Sequence, residues 1–245
     1  MTEGNTAAAR PMLRTEGLGR SFGHHRALDA VDLQVESGEC LAVFGPNGAG
    51  KTTLIKVLAT IMRPSSGRVM VAGLDLRDSA DSIRRRIGVV THQTFLYDRL
   101  TAYENLEFYS RLYDVPGHRE RIRDLIDRVG MTARLHDRVD TLSRGMQQRV
   151  TLARSVLHDP DILLLDEPEA ALDRQAVATL WELLRSEAGR RRTVLLVTHN
   201  LERGLELCDR LVILDGGRIV HRSSRVAASF EELREAYAKT TERSA

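Results

Sequence analysis

Val31, Leu33 and Val35 alternate with Asp32, Gln34 and Glu36, the period-two pattern of a strand with one face in water. Five short runs read differently. Residues 40–44, 87–90, 162–165, 194–197 and 211–214 are almost wholly apolar, as expected of strands buried on both faces. Helical stretches separate them, which predicts a mainly parallel sheet covered by helices. Gly216-Gly217, set between 211–214 and Ile219-Val220, predicts a terminal hairpin.

The pattern changes over residues 96–160. Thr101 with Glu104 forms a capping box that opens one helix. After the break at Pro116-Gly117, Ile122, Leu125, Ile126 and Val129 fall on one face of a second helix, closed by Gly130. Ser143 starts a third, with Met146, Val150, Ala153 and Leu157 on one face and Pro160 beyond its end. This stretch is expected to be a helical subdomain inserted into the sheet. Ser229 and Glu232 predict the cap of a last helix, within a helical tail over 223–245; residues 1–11 are expected to be a flexible N-terminus.

Composition narrows the classes. The 245 residues are 42% hydrophobic and 29% charged, enough apolar material for a large core and too much for general disorder. Basic and acidic residues number 36 and 34, with no basic stripe, which argues against binding to nucleic acid. No apolar run approaches the ~18–20 residues that cross a bilayer, and the first residues lack the pattern of a signal peptide. A cytoplasmic protein is expected. Cys40 and Cys208, the two cysteines, are in no CxxC pair, so neither a disulfide framework nor a zinc site is predicted.

The chemistry starts at Gly45-Pro46-Asn47-Gly48-Ala49-Gly50-Lys51-Thr52, which fits G-x-x-x-x-G-K-[ST] between a buried strand and an apolar helix. Glycines let successive N–H groups turn towards a phosphate, and the helix N-terminus adds its positive end. Lys51 offers a point charge to the β- and γ-phosphates, and the Thr52 hydroxyl is placed for Mg²⁺. A second element is Asp166-Glu167 at the end of the 162–165 strand. Asp166 can hold Mg²⁺, and Glu167, expected to point the other way along the strand, can polarise a water as general base. Gln93 follows the 87–90 strand and can reach metal or water; it also reads as an ordinary loop residue. His199 closes the 194–197 strand, either within reach of a γ-phosphate or as a satisfied structural histidine.

The order of these motifs resembles the nucleotide-binding subunit of ATP-binding cassette (ABC) transporters. The phosphate loop and Gln93 are followed by Leu142-Ser143-Arg144-Gly145-Met146-Gln147-Gln148-Arg149. Asp166-Glu167, then Glu169-Ala170-Ala171-Leu172-Asp173, and finally His199 complete the set, over residues 12–222. The resemblance implies an α/β P-loop NTPase core with a mainly parallel sheet, an N-terminal antiparallel β lobe and the inserted helical subdomain. It implies ATP and Mg²⁺, with nucleotide contacts from Gly45 through Thr53, and with metal ligation by Thr52, Gln93 and Asp166. Catalysis would fall to Glu167, His199 and Gln93. Two copies, or this chain and a second ATPase subunit, would pack head to tail. Each ATP would then lie between one phosphate loop and the other chain's Ser143 and Gly145, with Asp173 on the seam. By the same resemblance Phe22 stacks on adenine; a buried Phe is the alternative.

The signature departs from the family pattern at Arg144 and Met146, and Glu169 stands where a small or aromatic residue is common. A membrane-spanning permease would be the partner, docked near Phe95-Leu96-Tyr97-Asp98 on the cytoplasmic face of the membrane, although those aromatics also read as lobe core. At finer grain, Thr91-His92-Gln93-Thr94-Phe95-Leu96-Tyr97, the signature and Asn105-Leu106-Glu107-Phe108-Tyr109 resemble the ATPase subunit of the haem exporter of cytochrome c maturation. Drug and lipid exporters share much of this lobe. The competing classes are a non-transport ABC ATPase, which usually has coiled coils or duplicated cassettes, and a regulator without turnover, against which Lys51, Asp166, Glu167 and His199 argue.

Overall fold

The computed structural model describes residues 11–169, 172, 174–184, 192–225 and 230–242. The strands are β1 (Leu13–Phe22), β2 (His25–Val35), β3 (Cys40–Phe44), β4 (Ser66–Val71), β5 (Leu74–Asp75), β6 (Ile87–Val90), β7 (Ile162–Asp166), β8 (Thr193–Val197), β9 (Arg210–Asp215) and β10 (Arg218–Ser224). The helices are α1 (Lys51–Leu58), α2 (Ala80–Arg84), α3 (Ala102–Leu112), α4 (His118–Arg128), α5 (Arg144–Val156), α6 (Arg174–Leu184), α7 (Leu201–Leu207) and α8 (Phe230–Glu242).

Six strands form the main sheet in the order β10-β9-β3-β8-β7-β6, parallel except for the β9–β10 hairpin. The apolar runs explain it. Ala42, Phe44, Leu163, Leu165, Leu196 and Ile213 point to one face and join the helical lobe's core. Leu41, Val43, Leu164, Leu195, Val197 and Val212 point to the other, against α1 and the antiparallel sheet. A strand apolar at every position is thus used on both sides. The antiparallel lobe has the order β2-β1-β4-β5, and it recruits β4 and β5 from beyond α1. The alternation in β2 buries Val31, Leu33 and Val35 and leaves Asp32 and Gln34 in water.

Helices α3, α4 and α5 occupy the interval between β6 and β7. The Thr101–Glu104 capping box forms with both bonds, at 3.1 and 2.8 Å. Asn105 is fully buried on α3 and is satisfied by the loop before it: its Oδ1 accepts from the Tyr97 N–H at 2.7 Å and its Nδ2 donates to the Tyr97 carbonyl at 3.1 Å. One side chain therefore pins the 95–100 loop to the lobe. Ser229, expected to cap α8, lies outside the described residues, whereas Glu232 is in that helix's first turn.

The topology sets up a site. Strands β3, β8, β7 and β6 are neighbours and run in one direction, so their C-terminal ends share one edge. At that edge stand Gly45, His199, Asp166 with Glu167, and Gln93, where parallel sheets present their ligand-binding loops.

Candidate active site

The loop between β3 and α1 is held by close backbone packing. Gly45 has φ +152° and Gly50 has φ +104°; a Cβ would sit 2.0 Å from the Leu214 carbonyl oxygen at the first and 2.3 Å from that of Ala27 at the second. Only glycine fits both. Lys51 is 7% exposed and folds back, its Nζ donating to the Gly45 carbonyl at 2.7 Å and the Pro46 carbonyl at 2.9 Å. Desolvation lowers its pKa, opposed by the negative charges of Glu167 and Asp166. The first turn of α1 has no acidic residue, so its N–H groups and dipole face the loop without a competing carboxylate.

Asp166 ends β7 and is 5% exposed. Burial pushes its carboxyl pKa up; a hydrogen bond from Thr52, and the charges of His92 and Lys51, pull it down, while Glu167 adds to the rise. A buried carboxylate against a threonine hydroxyl, with the Gln93 amide bordering the same cleft, is an all-oxygen donor set. It fits a small hard cation that keeps waters and phosphate oxygens as its other ligands. Among the described residues no cluster of three His, Cys, Asp or Glu offers an alternative metal site.

Glu167 differs from the sequence expectation in how it is aimed. β7 stops at Asp166, and Glu167 adopts φ +52°, so its direction comes from a left-handed turn and not from strand alternation. The Glu167 N–H donates to the Val197 carbonyl at 2.9 Å, fixing that turn to β8. Its carboxylate reaches the His199 Nε2 at 2.5 Å. Both side chains are nearly half exposed, on the open side of the edge.

Two cavities flank this edge. One of about 280 Å³ is lined by Phe22, His25, Ala27, loop residues 47–53 and Glu167. Phe22 is 44% exposed there and so is no core residue; the Arg20 guanidinium lies over its ring, 4.7 Å from the centre. The other, of about 1200 Å³, lies between sheet and helical lobe and is lined by Thr52, Gln93, Asp166, Glu167, Arg144 and Gln147 among others. Arg144, one of the signature's two departures, thus puts a cation on the wall of this cleft.

Ser143 and Gly145 are not brought to the phosphate loop and line neither cavity. Ser143 is exposed and caps α5, its Oγ accepting from the Met146 N–H at 3.3 Å. Asp173 lies outside the described residues. Glu169 is engaged within its own chain: its Oε1 accepts from Trp181 Nε1 at 2.9 Å and is 3.5 Å from Arg203 Nε. Tyr237 of α8 was not anticipated. Its hydroxyl donates to the Gly45 carbonyl at 3.4 Å and lies near enough to Glu167 to feel its charge, although burial is the larger cause of its raised pKa. Its only sequence signal was a tyrosine on the buried side of an amphipathic tail helix.

The family model described as ABC transporter matches residues 28–170. The chain is 39% identical over 210 residues to the daunorubicin resistance ATP-binding protein DrrA3 of Streptomyces coeruleorubidus, covering 85% of this chain and 66% of that protein. It is 37% identical over 210 residues to the Nod factor export ATP-binding protein I of Ralstonia nicotianae, covering 85% and 65%. The chain thus spans just under two-thirds of these relatives' length. A solved ATP-binding subunit of an ABC transporter superposes with a TM-score of 0.85 at 28% identity, covering 94% of this chain and 99% of the other. A dimeric ATP-binding cassette in a post-hydrolysis state with ADP and Pi superposes with a TM-score of 0.78 at 28% identity, covering 87% and 99%.

The chain belongs to the ABC transporter family, and it is of the ATP-binding subunit type. Among its relatives are proteins named for drug resistance and for Nod factor export, and neither of those described above is named as a haem exporter.

Proposed function

We propose that this chain binds and hydrolyses ATP as the energy-supplying subunit of an exporter, at the cytoplasmic face of the membrane and coupled to a separate permease. The observation that carries the reading is the Glu167–His199 pair at 2.5 Å, next to a phosphate loop whose lysine is already folded against it. No helix among the described residues is long and apolar enough to cross a membrane, so the translocation path falls to the partner.

In this reading the triphosphate lies along the loop, the adenine against Phe22 and the β- and γ-phosphates at Lys51 and the α1 N-terminus. Mg²⁺ neutralises phosphate charge when bound, held by Thr52 and Asp166 with Gln93 at the cleft. Glu167 accepts a proton from the attacking water. His199 orients the Glu167 carboxylate and can donate towards the γ-phosphate. The outward-facing N-terminus of α5, with Ser143 and Gly145, supplies the second phosphate cradle to the ATP of a partner copy, and Asp173 belongs to the seam. A solved relative that is itself dimeric with ADP and Pi supports this arrangement.

The permease is assigned to the groove of about 420 Å³ beside the lobe, lined by Arg84, Phe95, Tyr109, Tyr113, Arg154 and His158 among others. Exposed Phe108 meets the lining residue Tyr109 edge-to-face at 5.3 Å and exposed Tyr97 in the same way at 5.1 Å. Between cargoes, the relatives' names support drug or Nod-factor type export; haem export rests on the lobe motifs alone.

The test is Glu167→Gln. We expect retained ATP binding, turnover reduced by about 10²- to 10⁴-fold, and a two-chain species with MgATP in light scattering. Wild-type turnover by this variant would remove Glu167 as the base.

A further inference from the structure

We propose that Cys40 and Cys208 form an oxidation site that a peroxide converts into an internal disulfide. The two thiols stand 168 residues apart in sequence and 2.7 Å apart at their sulfurs. Cys40 is the first residue of β3 and Cys208 the residue after α7. The backbone on both sides is clamped: the Cys40 N–H donates to Asp209 Oδ2 at 2.8 Å, and the Asp209 N–H donates to the Cys40 carbonyl at 2.8 Å. The adjoining parallel pairing of β3 with β9, Leu41 opposite Arg210, fixes the register. The sulfurs are thus held together by main-chain bonds that do not depend on them.

Exposure orders the chemistry. Both cysteines are buried, but Cys40 retains 6% residue exposure and Cys208 none, which makes Cys40 the more accessible of the pair and the one assigned the first step. Its sulfur attacks the peroxide, the O–O bond breaks, and water leaves as Cys40 becomes a sulfenic acid. Cys208 sulfur then attacks Cys40 sulfur: the S–S bond forms, the S–O bond breaks, and a second water leaves. Two thiols are oxidised by two electrons and one hydrogen peroxide is reduced to two waters. With the resolving sulfur already in contact, the second step outruns further oxidation of Cys40. The cross-link would join the start of the strand that leads into the phosphate loop to the end of the helix that follows His199.

The test is intact-mass measurement of the native chain after hydrogen peroxide. The proposal expects a monomer about 2 Da lighter, with the peptides holding Cys40 and Cys208 joined, and reversal by dithiothreitol. The midpoint of thermal unfolding should rise by about 5–10 °C, because a long loop is closed. Cys40→Ser should show neither change. Two unmodified thiols, a gain of oxygen atoms, or cross-linking between chains would each overturn it. Peptide mapping of the wild-type chain decides the matter even where the variant fails to fold.

Discussion

The N-termini of α1 and α5, the two that the proposed function sets against phosphate, are finished differently. Helices α2, α3, α4, α7 and α8 carry an Asp or Glu in the first turn; α1, α5 and α6 carry none, and of these three α1 follows the phosphate loop and α5 the signature. Around α1 the chain supplies everything else itself: the closed loop, Lys51 on two carbonyls, Asp166 and the Glu167–His199 pair. At α5 the side chain that caps the terminus is its own Ser143, and Ser143 and Arg144 are exposed. Under the proposed function, the difference means that one chain holds a complete phosphate grip and only half of a second one. It is the structural basis for reading the working unit as two chains.

The largest expected effect separates the two termini. Lys51→Ala should weaken ATP binding by a single chain at least ~100-fold, read by fluorescent-nucleotide titration. Ser143→Arg should leave that affinity unchanged within about twofold and still abolish turnover, since the added side chain blocks the α5 terminus against a second chain. Loss of single-chain affinity in Ser143→Arg would break the comparison.

His199→Ala comes next, with turnover reduced about 10- to 100-fold and binding kept, because Glu167 loses the group that holds its carboxylate. Steady-state kinetics with KM and kcat resolved would check it.

A smaller effect concerns the lobe that carries α5. His158, just beyond that helix, stacks on Tyr113 at 4.1 Å and is pushed down to about 4, chiefly by burial. The unfolded chain takes this proton near pH 6.5 and the folded chain only near pH 4, so stability falls as the pH drops through that window. The loss should reach about 3 kcal/mol at most, in urea titrations across the range, and His158→Gln should flatten it. The smallest expected effect is Tyr237→Phe, which removes the hydroxyl that touches Gly45. Turnover should fall roughly threefold, with the Ser143 side unaffected.

The sequence was most legible where one strand or helix states its own environment. The apolar runs fixed which strands are buried on both faces, the Thr101–Glu104 box is formed as expected, and the loop sits where strand-then-helix requires it. Glu167 was identified but not its aim, because a left-handed φ at a glutamate leaves no mark in an alternating pattern. Glu169 was legible only as a departure from the family pattern; its partners Trp181 and Arg203 lie 12 and 34 residues further on. Tyr237 and the Cys40–Cys208 contact were invisible for the same reason. Each depends on segments more than 160 residues apart brought together by sheet order, which no local window contains.

The most direct test of the two-chain reading is complementation. Lys51→Ala and Ser143→Arg chains, each inactive alone, are mixed in equal amounts and assayed with MgATP. In a mixed pair one composite site combines the intact loop of one chain with the intact α5 terminus of the other, so turnover should return to about a quarter of the wild-type level. A mixture as inactive as its components, although mixed pairs are recovered by pull-down through a tag carried by one of the two variants, would contradict the account.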